Sequence, residues 1–294
     1  MRIAAFEIDE PLPELNEPYA FAMLRPWIDV NNVGTSVLDE LETQFGAKDL
    51  ARFAKPGLFF DFTRYRPTLY HEEGTRRVSI PNVTVRYARR DAANDFLFLR
   101  LLEPHALSEV YVDSVLRLLK TLKVKKYVLL GSMSDVVPHT KPLIVHGGAI
   151  GRETGLDLKR SQAHVGHYQG PTSVTTLITQ RVSEIGAEAI WFIVSLPQYV
   201  VLEQDYVGKI RLMEILNLLY HIPIDTKDFE KAVAQRNSIN KKMEGMSELK
   251  SLLPQLEAMY DARIMAREEE GKSKLSSDVE EILWKISGKD FGKA

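Results

Sequence analysis

The sequence predicts an α/β protein with a mixed, mostly parallel sheet that carries helices on both faces, followed by a C-terminal helical extension. Short apolar runs alternate with amphipathic runs over residues 1–222, a hairpin pattern interrupts this alternation, and strand-like runs stop after Ile222. Strands that alternate with helices of this length are typical of parallel sheets covered on both faces. Together these observations define the expected fold class.

The predicted strands are short and rich in Val, Ile, Phe and Leu, and several lack the polar alternation of a half-exposed strand. We therefore expect them to be buried on both faces. They cover residues 21–30, 58–62, 96–102, 127–133, 143–147 and 189–196. Apolar residues at helical spacing predict helices over residues 33–45, 109–122, 173–185 and 207–219, with a further short helix near 49–53.

An antiparallel β-hairpin is expected at residues 68–80. Alternating strand character flanks residues 72–75, and Gly74 supplies the turn that a hairpin needs. We expect residues 84–90 to extend this hairpin. The sheet is therefore predicted to be mixed.

The chain changes character after Ile222. Residues 225–266 are rich in Lys, Glu, Met and Leu, and their apolar residues recur at three- and four-residue steps. This spacing predicts paired helices with an apolar seam. Gly245 and Pro254 interrupt the pattern, so we expect two helices and not one continuous coiled coil.

A domain division follows from this change of character. We predict an α/β/α core domain over residues 1–222 and a helical C-terminal extension over residues 223–294. Within the extension, residues 267–275 are rich in charged residues, and we predict that they form a solvated linker. Ser277 then begins a short amphipathic helix, with Glu280 at the spacing of a capping box.

Charge and composition exclude several function classes. The formal net charge is −2 and no long basic stripe occurs, which argues against nucleic acid as a partner. The absence of cysteine excludes disulfides, thiolate metal sites and a cysteine nucleophile. The first residues lack the pattern of a signal peptide, and no window approaches the ~18 apolar residues of a membrane helix. We expect a cytoplasmic protein without membrane contact.

No cofactor or metal site is predicted. No Gly-Lys-Ser or Gly-Lys-Thr phosphate loop follows a strand, and the glycines at residues 147–151 do not have the dinucleotide-binding spacing. His164 and His167 are three residues apart, but catalytic zinc needs three protein ligands and no third is visible nearby. We therefore expect neither a cofactor nor a metal ion.

Polar residues cluster where the apolar strands stop. In an open α/β sheet, ligands bind beyond the carboxyl ends of the strands. If the predicted strands are parallel neighbours, one edge gathers Asn32, Arg66, Glu103, His139, Thr140, Lys141 and Gln198. The alternative is that prolines end the strands and polar residues cap the following helices. Both interpretations stay open for the cluster, and a structural role is favoured for any single residue.

The segment between Pro138 and Pro142 shows this choice in detail. His139 has the chemistry of a general acid or base, with Asp135 or Glu103 as its partner. The preceding residues, GSMSD, lack the closing glycine of a nucleophile elbow. We therefore assign no catalytic residue, and we expect His139 to be a strut that holds a rigid loop.

The order of these segments resembles a known family. The segments are Asn31-Asn32-Val33-Gly34, Phe60-Asp61-Phe62 with Arg64-Tyr65-Arg66-Pro67, Leu102-Glu103-Pro104, Val137-Pro138-His139-Thr140-Lys141-Pro142, Tyr168-Gln169-Gly170-Pro171-Thr172 and Leu196-Pro197-Gln198-Tyr199. Together they are similar to the proteasome assembly chaperone 2 family in its bacterial form. The proline-framed segment and the Tyr-Gln-Gly-Pro-Thr segment carry most of this resemblance.

The resemblance implies a three-layer α/β/α sandwich, similar to nucleoside phosphorylases and peptidyl-tRNA hydrolases. It also implies oligomers, and eukaryotic and archaeal relatives are assembly chaperones that engage proteasome subunits. Several positions depart from the family pattern. The turn at Asn32 lacks an expected carboxylate, Gln198 replaces a histidine, and Lys141 replaces an arginine and so loses bidentate geometry. Each departure weakens a catalytic interpretation.

We therefore expect a non-enzymatic protein-interaction or assembly-chaperone-like protein that acts as a homo-oligomer and binds another protein. The alternative is an enzyme or binder for a nucleoside- or phosphate-containing small molecule at the strand ends. In that case Arg66, Lys141 and the helix start that includes Gly170 and Thr172 bind the anion, because helix N-termini favour negative charge. His139 or Glu103 then handles a proton.

Overall fold

The computed structural model describes residues 1–91, 93–165, 169–246 and 250–266. The strands are β1 (Arg2–Ile3), β2 (Phe6–Ile8), β3 (Tyr19–Arg25), β4 (Lys48–Phe53), β5 (Thr68–Glu72), β6 (Thr75–Ser79), β7 (Thr84–Ala88), β8 (Phe96–Leu102), β9 (Lys126–Asp135), β10 (Val145–Ile150), β11 (His164–Val165) and β12 (Glu188–Pro197). The helices are α1 (Val33–Gln44), α2 (Ser108–Thr121), α3 (Arg152–Ser161), α4 (Val174–Arg181), α5 (Tyr206–Tyr220), α6 (Thr226–Glu244) and α7 (residues 250–266).

Within the described ranges, most strands join one large mixed sheet. Its order is β1-β2-β4-β7-β8-β3-β9-β12-β10-β11. The central strands β8, β3, β9 and β12 run parallel to one another, and antiparallel strands flank them on both sides. The predicted α/β fold class, with its mixed sheet and its C-terminal helices, is confirmed.

Two apolar layers cover the sheet because successive strand residues point to opposite faces. On β8, Leu97 and Leu99 belong to the core layer that α2 and α4 cover, whereas Phe98 belongs to the layer under α1 and α5. On β9, Leu129 and Leu130 divide between the two layers in the same way. The continuous apolar runs predicted as buried strands therefore supply both layers at once.

Two predicted elements are wrong. Residues 58–62 do not form a strand: a 3-10 turn at Pro56–Leu58 is followed by Phe59 and Phe60, which are buried against Tyr111 without joining the sheet. Residues near 49–53 belong to strand β4 and not to a helix. β4 lies between β2 and β7 in the sheet and pairs antiparallel with both.

The predicted hairpin is confirmed, but it stands apart from the main sheet. β5 and β6 form a separate two-stranded sheet, with positive φ angles at Glu73 (47°) and Gly74 (75°) in its turn. The prediction that residues 84–90 extend this hairpin is wrong, because β7 pairs with β4 and β8 in the main sheet. The long predicted run at 21–30 is a strand only as far as Arg25.

The first helix of the extension packs on the core through a buried ion pair. The Lys209 ammonium on α5 donates to the Asp228 carboxylate on α6, and both side chains are buried. Burial is the largest single influence on the pKa of Asp228 and raises it, but the hydrogen bonds and positive charges of Lys209 and Lys231 together outweigh burial, so the pKa is lowered. The predicted domain boundary at residue 222 falls between these two helices and stays a prediction. The predicted linker and the helix from Ser277 lie outside the described residues.

Replacing Lys209 with methionine leaves the Asp228 carboxylate buried without its main partner. We expect the free energy of unfolding to fall by roughly 3–5 kcal/mol, because an unpaired buried charge is costly. Urea unfolding followed by circular dichroism measures this loss.

Lys231 provides the matched control, because its ammonium reaches the same Asp228 carboxylate at 3.2 Å from an exposed position. Lys231→Met should lower the free energy of unfolding by at most about 1 kcal/mol. Equal losses in the two variants would show that burial of the Lys209–Asp228 pair does not determine how much the pair contributes to the free energy of unfolding.

Candidate functional site

The four central strands end at one edge of the sheet because they are parallel neighbours. Asn32 follows β3, Glu103 follows β8, the proline-framed segment follows β9 and Gln198 follows β12. The edge therefore gathers these segments, although neighbouring strands are only about 4.8 Å apart and the four strand ends spread over roughly 14 Å. Arg66 does not follow a strand and is exposed in the segment before β5.

Asn32 ties the start of α1 to the loop after β12. Its backbone has a left-handed conformation, with φ of 56°, and its side-chain amide donates to the carbonyl oxygen of Glu203 at 2.8 Å. The neighbouring Asn31 amide donates to the Val200 carbonyl oxygen at 3.1 Å. An asparagine adopts this backbone more readily than most residues. The pair thus positions a loop at the strand-end edge.

Glu103 holds the N-terminus of α4. Its half-buried carboxylate accepts a hydrogen bond from the backbone N–H of Val174 at 3.1 Å. Burial raises the pKa of Glu103, while the hydrogen bond from Val174 opposes this shift. Gly170 and Thr172 lie in the exposed segment that leads into α4, where the Thr172 and Thr176 hydroxyls are 2.5 Å apart. A carboxylate thus already occupies the helix end where the sequence suggested an anion.

His139 is held by Tyr199. The Tyr199 hydroxyl accepts a hydrogen bond from the His139 backbone N–H at 2.8 Å and also lies 2.8 Å from its Nδ1 atom. Burial lowers the pKa of His139, so the neutral imidazole is favoured. The adjacent Gln198 is exposed, and its backbone N–H donates to the Asp135 carbonyl oxygen at 3.2 Å. The two loops after β9 and β12 are therefore joined by these bonds.

Thr140 and Lys141 attach the core to α7. The Thr140 hydroxyl donates to Glu257 Oε1 at 2.5 Å, and Lys141 Nζ donates to Asp261 Oδ1 and Oδ2 at 2.9 and 3.0 Å. The hydrogen bond to Asp261 raises the pKa of Lys141. The Lys141 charge predicted to bind an anion is thus already paired within the chain.

A further polar cluster at this edge was missed by sequence reasoning. Arg263 on α7 donates to both carboxylate oxygens of Asp135 at 3.3 Å, and His146 Nε2 lies 4.0 Å from Asp135 Oδ2. Burial lowers the pKa of His146, Arg263 lowers it further and Asp135 opposes the shift. Tyr260 packs in the same region against Val137 and Ile144, which adds an apolar contact to the docking of α7.

A cleft of about 520 Å³ lies between the proline-framed segment, α5, α6 and α7. His139 and Lys141 are the predicted site residues among its lining in the described part of the chain. Its apolar lining from α6 includes Phe229 and Val233, which are 40% and 61% exposed. Arg236, one turn further along α6, also lines the cleft. The regular apolar spacing after residue 225 was the sequence signal for this surface.

The titratable groups at the strand ends are mostly engaged in contacts within the described chain. Each titratable group predicted at the strand ends, apart from the exposed Arg66, is bonded to another part of the chain. Among the described residues, no group of three or more His, Asp and Glu side chains is placed to hold a metal ion, and His167 lies outside them. Within the same residues, no helix is long and apolar enough to cross a membrane.

These features define an α/β protein with a mixed sheet between helical layers and polar loops at the carboxyl ends of its parallel strands. The chain belongs to the PAC2 family, whose model matches residues 23–243. This match confirms the resemblance inferred from the sequence. No curated protein matches the chain.

Solved structures share the fold. A PAC2 family protein from Streptomyces avermitilis has a TM-score of 0.72 at 20% identity, over 81% of this chain and 99% of its own. A Mycobacterium tuberculosis protein of unknown function has a TM-score of 0.77 at 23% identity, over 92% and 93%. A proteasome-assembly chaperone homologue from the same organism has a TM-score of 0.70 at 19% identity, over 80% and 99%. At these identities the likeness shows the fold alone.

The partly buried His146 is expected to make stability depend on pH. Its folded pKa is lowered, so the folded state binds fewer protons than the unfolded state. Its contribution to stability is therefore complete above the unfolded pKa of about 6.5 and is lost as the pH falls through the folded pKa. We expect His146→Gln to reduce the loss of free energy of unfolding on acidification, as measured by urea titration at a series of pH values.

His71 is the matched control, because it is exposed on the hairpin. His71→Gln should lose as much stability on acidification as the unmodified protein. A His146→Gln variant with the same pH dependence as His71→Gln would show that burial of His146 does not govern this loss.

Proposed function

We propose that this protein is a non-enzymatic interaction protein of the assembly-chaperone type, which acts as a homo-oligomer and binds another protein. The PAC2 family membership and the likeness to a proteasome-assembly chaperone homologue support a role of this general kind. Cytoplasmic localisation remains part of the prediction. The specific partner is not defined by these relatives.

The observation that carries the proposal is the use of the strand-end polar groups as internal connectors. Glu103 caps α4, His139 is bonded to Tyr199, and Lys141 is bonded to Asp261. A general acid or base must reach the proton that it transfers, and a positioned nucleophile needs a neighbouring base. These groups instead hold loops and helices in place, so their arrangement favours a scaffold over a catalyst.

The exposed apolar side of α6 supplies the docking surface in this proposal. Phe229 and Val233 lie one turn apart and both line the cleft. Aromatic and aliphatic side chains that enter a pocket are typical anchors of protein–protein interfaces. An apolar segment of a partner that fills the cleft would remove both side chains from water.

Replacing both apolar residues tests this surface. We expect Phe229→Ser/Val233→Ser to reduce several-fold the amount of partner protein retained from native lysate on the tagged full-length chain, because the apolar anchors are lost. Quantitative mass spectrometry of the captured proteins measures the change. The substitutions are at exposed positions, so the fold should persist, as circular dichroism checks.

The control Leu156→Ser/Leu218→Ser removes two helical apolar residues that are 55% and 47% exposed and lie outside the cleft lining. It should retain the same proteins as the unmodified chain. Equal capture by the cleft variant and the control would exclude the cleft as the docking surface. If the unmodified chain enriches no protein, the interaction function itself is wrong.

A second candidate function is the binding of a nucleoside- or phosphate-containing small molecule. The cleft volume of about 520 Å³ lies within the usual range of ligand pockets. Arg236 lines the cleft from an exposed position and forms no ion pair with any described residue. It is therefore better placed than the paired Lys141, or than Arg66 outside the cleft, to meet an anion.

Thermal-shift measurements with nucleosides, nucleotides and inorganic phosphate test this candidate. If it is correct, at least one of these compounds raises the melting temperature, and Arg236→Ala reduces the increase by removing the cation. Lys241→Ala, an exposed change near the end of the same helix, should leave the increase unaltered. The absence of any stabilising compound, or equal stabilisation of both variants, would rule out this function.

A further inference from the structure

The β5–β6 hairpin presents an apolar face that nothing in the described chain covers. All residues of both strands are exposed. Directly paired residues lie on the same face of a two-stranded sheet, and Leu69 pairs with Val78. These two side chains are 47% and 58% exposed, and Ile80, which follows the second strand, is 50% exposed.

A lone hairpin of this kind is at best marginally stable in water. Independent stability requires a third strand or a surface that buries one face of the hairpin. The Leu69–Val78 face has neither within the described chain. The missing surface is therefore expected on another molecule.

The apolar face carries positive charge only. Arg76 pairs with His71 beside the Leu69–Val78 pair, and Arg76 forms no ion pair with any described residue. The acidic strand residue Glu72 lies on the opposite face, where its carboxylate is 3.6 Å from Arg77. A complementary surface would combine exposed apolar residues with an excess of carboxylates.

The α2–α4 face of the same chain has exposed apolar residues in the required arrangement. Asp113 on α2 and Arg181 on α4 form an ion pair at 2.7 Å. Both helices lead into parallel strands, β9 and β12, so they run in the same direction. Val110 and Leu177 precede the two paired residues by about one turn and are 49% and 43% exposed. They therefore lie side by side on the surface of this layer.

The charge around this patch is negative. Glu109 and Asp113 on α2, together with Glu184 after α4, place carboxylates near the exposed apolar pair. Two cations lie among them: Arg181, which contacts both Asp113 and Glu184, and Arg117, which is exposed one turn after Asp113 on α2. Three carboxylates with two guanidiniums leave a small excess of negative charge. This excess complements the face of the hairpin that carries Arg76.

We propose that the Leu69–Val78 face of the hairpin in one copy of the chain seats on the Val110–Leu177 patch of a second copy. This inference rests on the homo-oligomer part of the proposed function and names its contact surface. Each copy carries both the hairpin and the patch, so reciprocal seating closes a symmetric dimer, whereas one-way seating gives a ring if the rotation between copies closes. In either assembly the hairpin gains the covering surface that it lacks in a single chain.

The absence of cysteine from the chain permits a direct test by site-specific cross-linking. Val78→Cys and Val110→Cys full-length chains, distinguished by an affinity tag on one of them, are mixed and oxidised. We expect a mixed disulfide dimer on a non-reducing gel. Val78→Cys mixed with Leu156→Cys is the matched control, because Leu156 is exposed on α3 away from the patch. Equal cross-linking in the two mixtures would overturn the proposal.

Charge reversal gives a second readout that does not depend on a new bond. Arg76→Glu and Glu109→Arg should each weaken self-association, whereas an equimolar mixture of the two variants should restore it. Light scattering after gel filtration measures the mass. If the mass measured for the mixture does not exceed the masses of the separate variants, the predicted pairing of the hairpin face with the patch is overturned.

The mass of the native protein in solution also distinguishes a failure of the hairpin contact from a failure of the proposed homo-oligomer. We expect the unmodified chain to be oligomeric and Leu69→Ser/Val78→Ser to be monomeric. If both are oligomeric, the hairpin contact is wrong while self-association stands. If the unmodified chain is monomeric, the hairpin contact and the homo-oligomer part of the proposed function both fail, whereas partner capture through the α6 cleft is unaffected. A hairpin variant that instead loses a different bound protein would also overturn the second-copy contact.

Discussion

The parallel pairing of β3 with β8 and β9 fixes where the candidate residues that follow these strands lie. Parallel strands need long returns over the sheet faces, so their following loops collect at one edge. The segment after β3 crosses this edge and is tied to β9 by a 2.9 Å hydrogen bond from the Ser132 N–H to the Ile28 carbonyl oxygen. Asp29 is buried there and accepts bonds from the Thr35 N–H and hydroxyl at 3.1 and 2.6 Å. Burial raises the pKa of Asp29, while these bonds oppose the shift. The edge is thus organised by internal bonds before any partner is considered.

The same constraint explains why the edge has few free functional groups. A loop over the end of a sheet leaves polar backbone and side-chain groups that need hydrogen-bond partners when they are partly buried. At this edge the partners come from within the chain, through Tyr199 on the neighbouring loop and Glu257, Asp261 and Arg263 on α7. The polarity that makes such an edge resemble an active site therefore serves to hold loops and helices of the chain together, α7 among them.

The sequence was informative where a local pattern reflects burial, and misleading where the same pattern has another cause. The β8 and β9 runs are apolar because both of their faces are covered, and they were predicted correctly. Phe59 and Phe60 give an equally apolar run, but they fill the core from a turn. β4 carries charged residues among its buried ones, which mimics an amphipathic helix over a few residues.

For the site, the prolines around residues 139–141 marked a rigid loop at the correct edge. Its partners on α7 were not predictable, because Lys141 and Asp261 are 120 positions apart and no local pattern links them. The same holds for Asp135 and Arg263. Pairings of this kind depend on how the tail folds back over the core, and a single sequence records only the residue types. The apolar spacing of α6 indicated an apolar face, which lines the cleft, but not the loop that faces it.

The two helices that the structure describes after residue 222, α6 and α7, are attached by contacts that respond differently to ionic strength. α6 is held by the Lys209–Asp228 pair, which is buried, whereas the Lys141–Asp261 and Arg263–Asp135 pairs that hold α7 are partly exposed. Dissolved ions screen exposed charges over a Debye length of about 8 Å at physiological salt, but screen buried pairs much less. Rising salt is therefore expected to weaken the ionic attachment of α7 more than that of α6, so that the apolar packing of Tyr260 carries a growing share of what holds the α7 wall of the cleft.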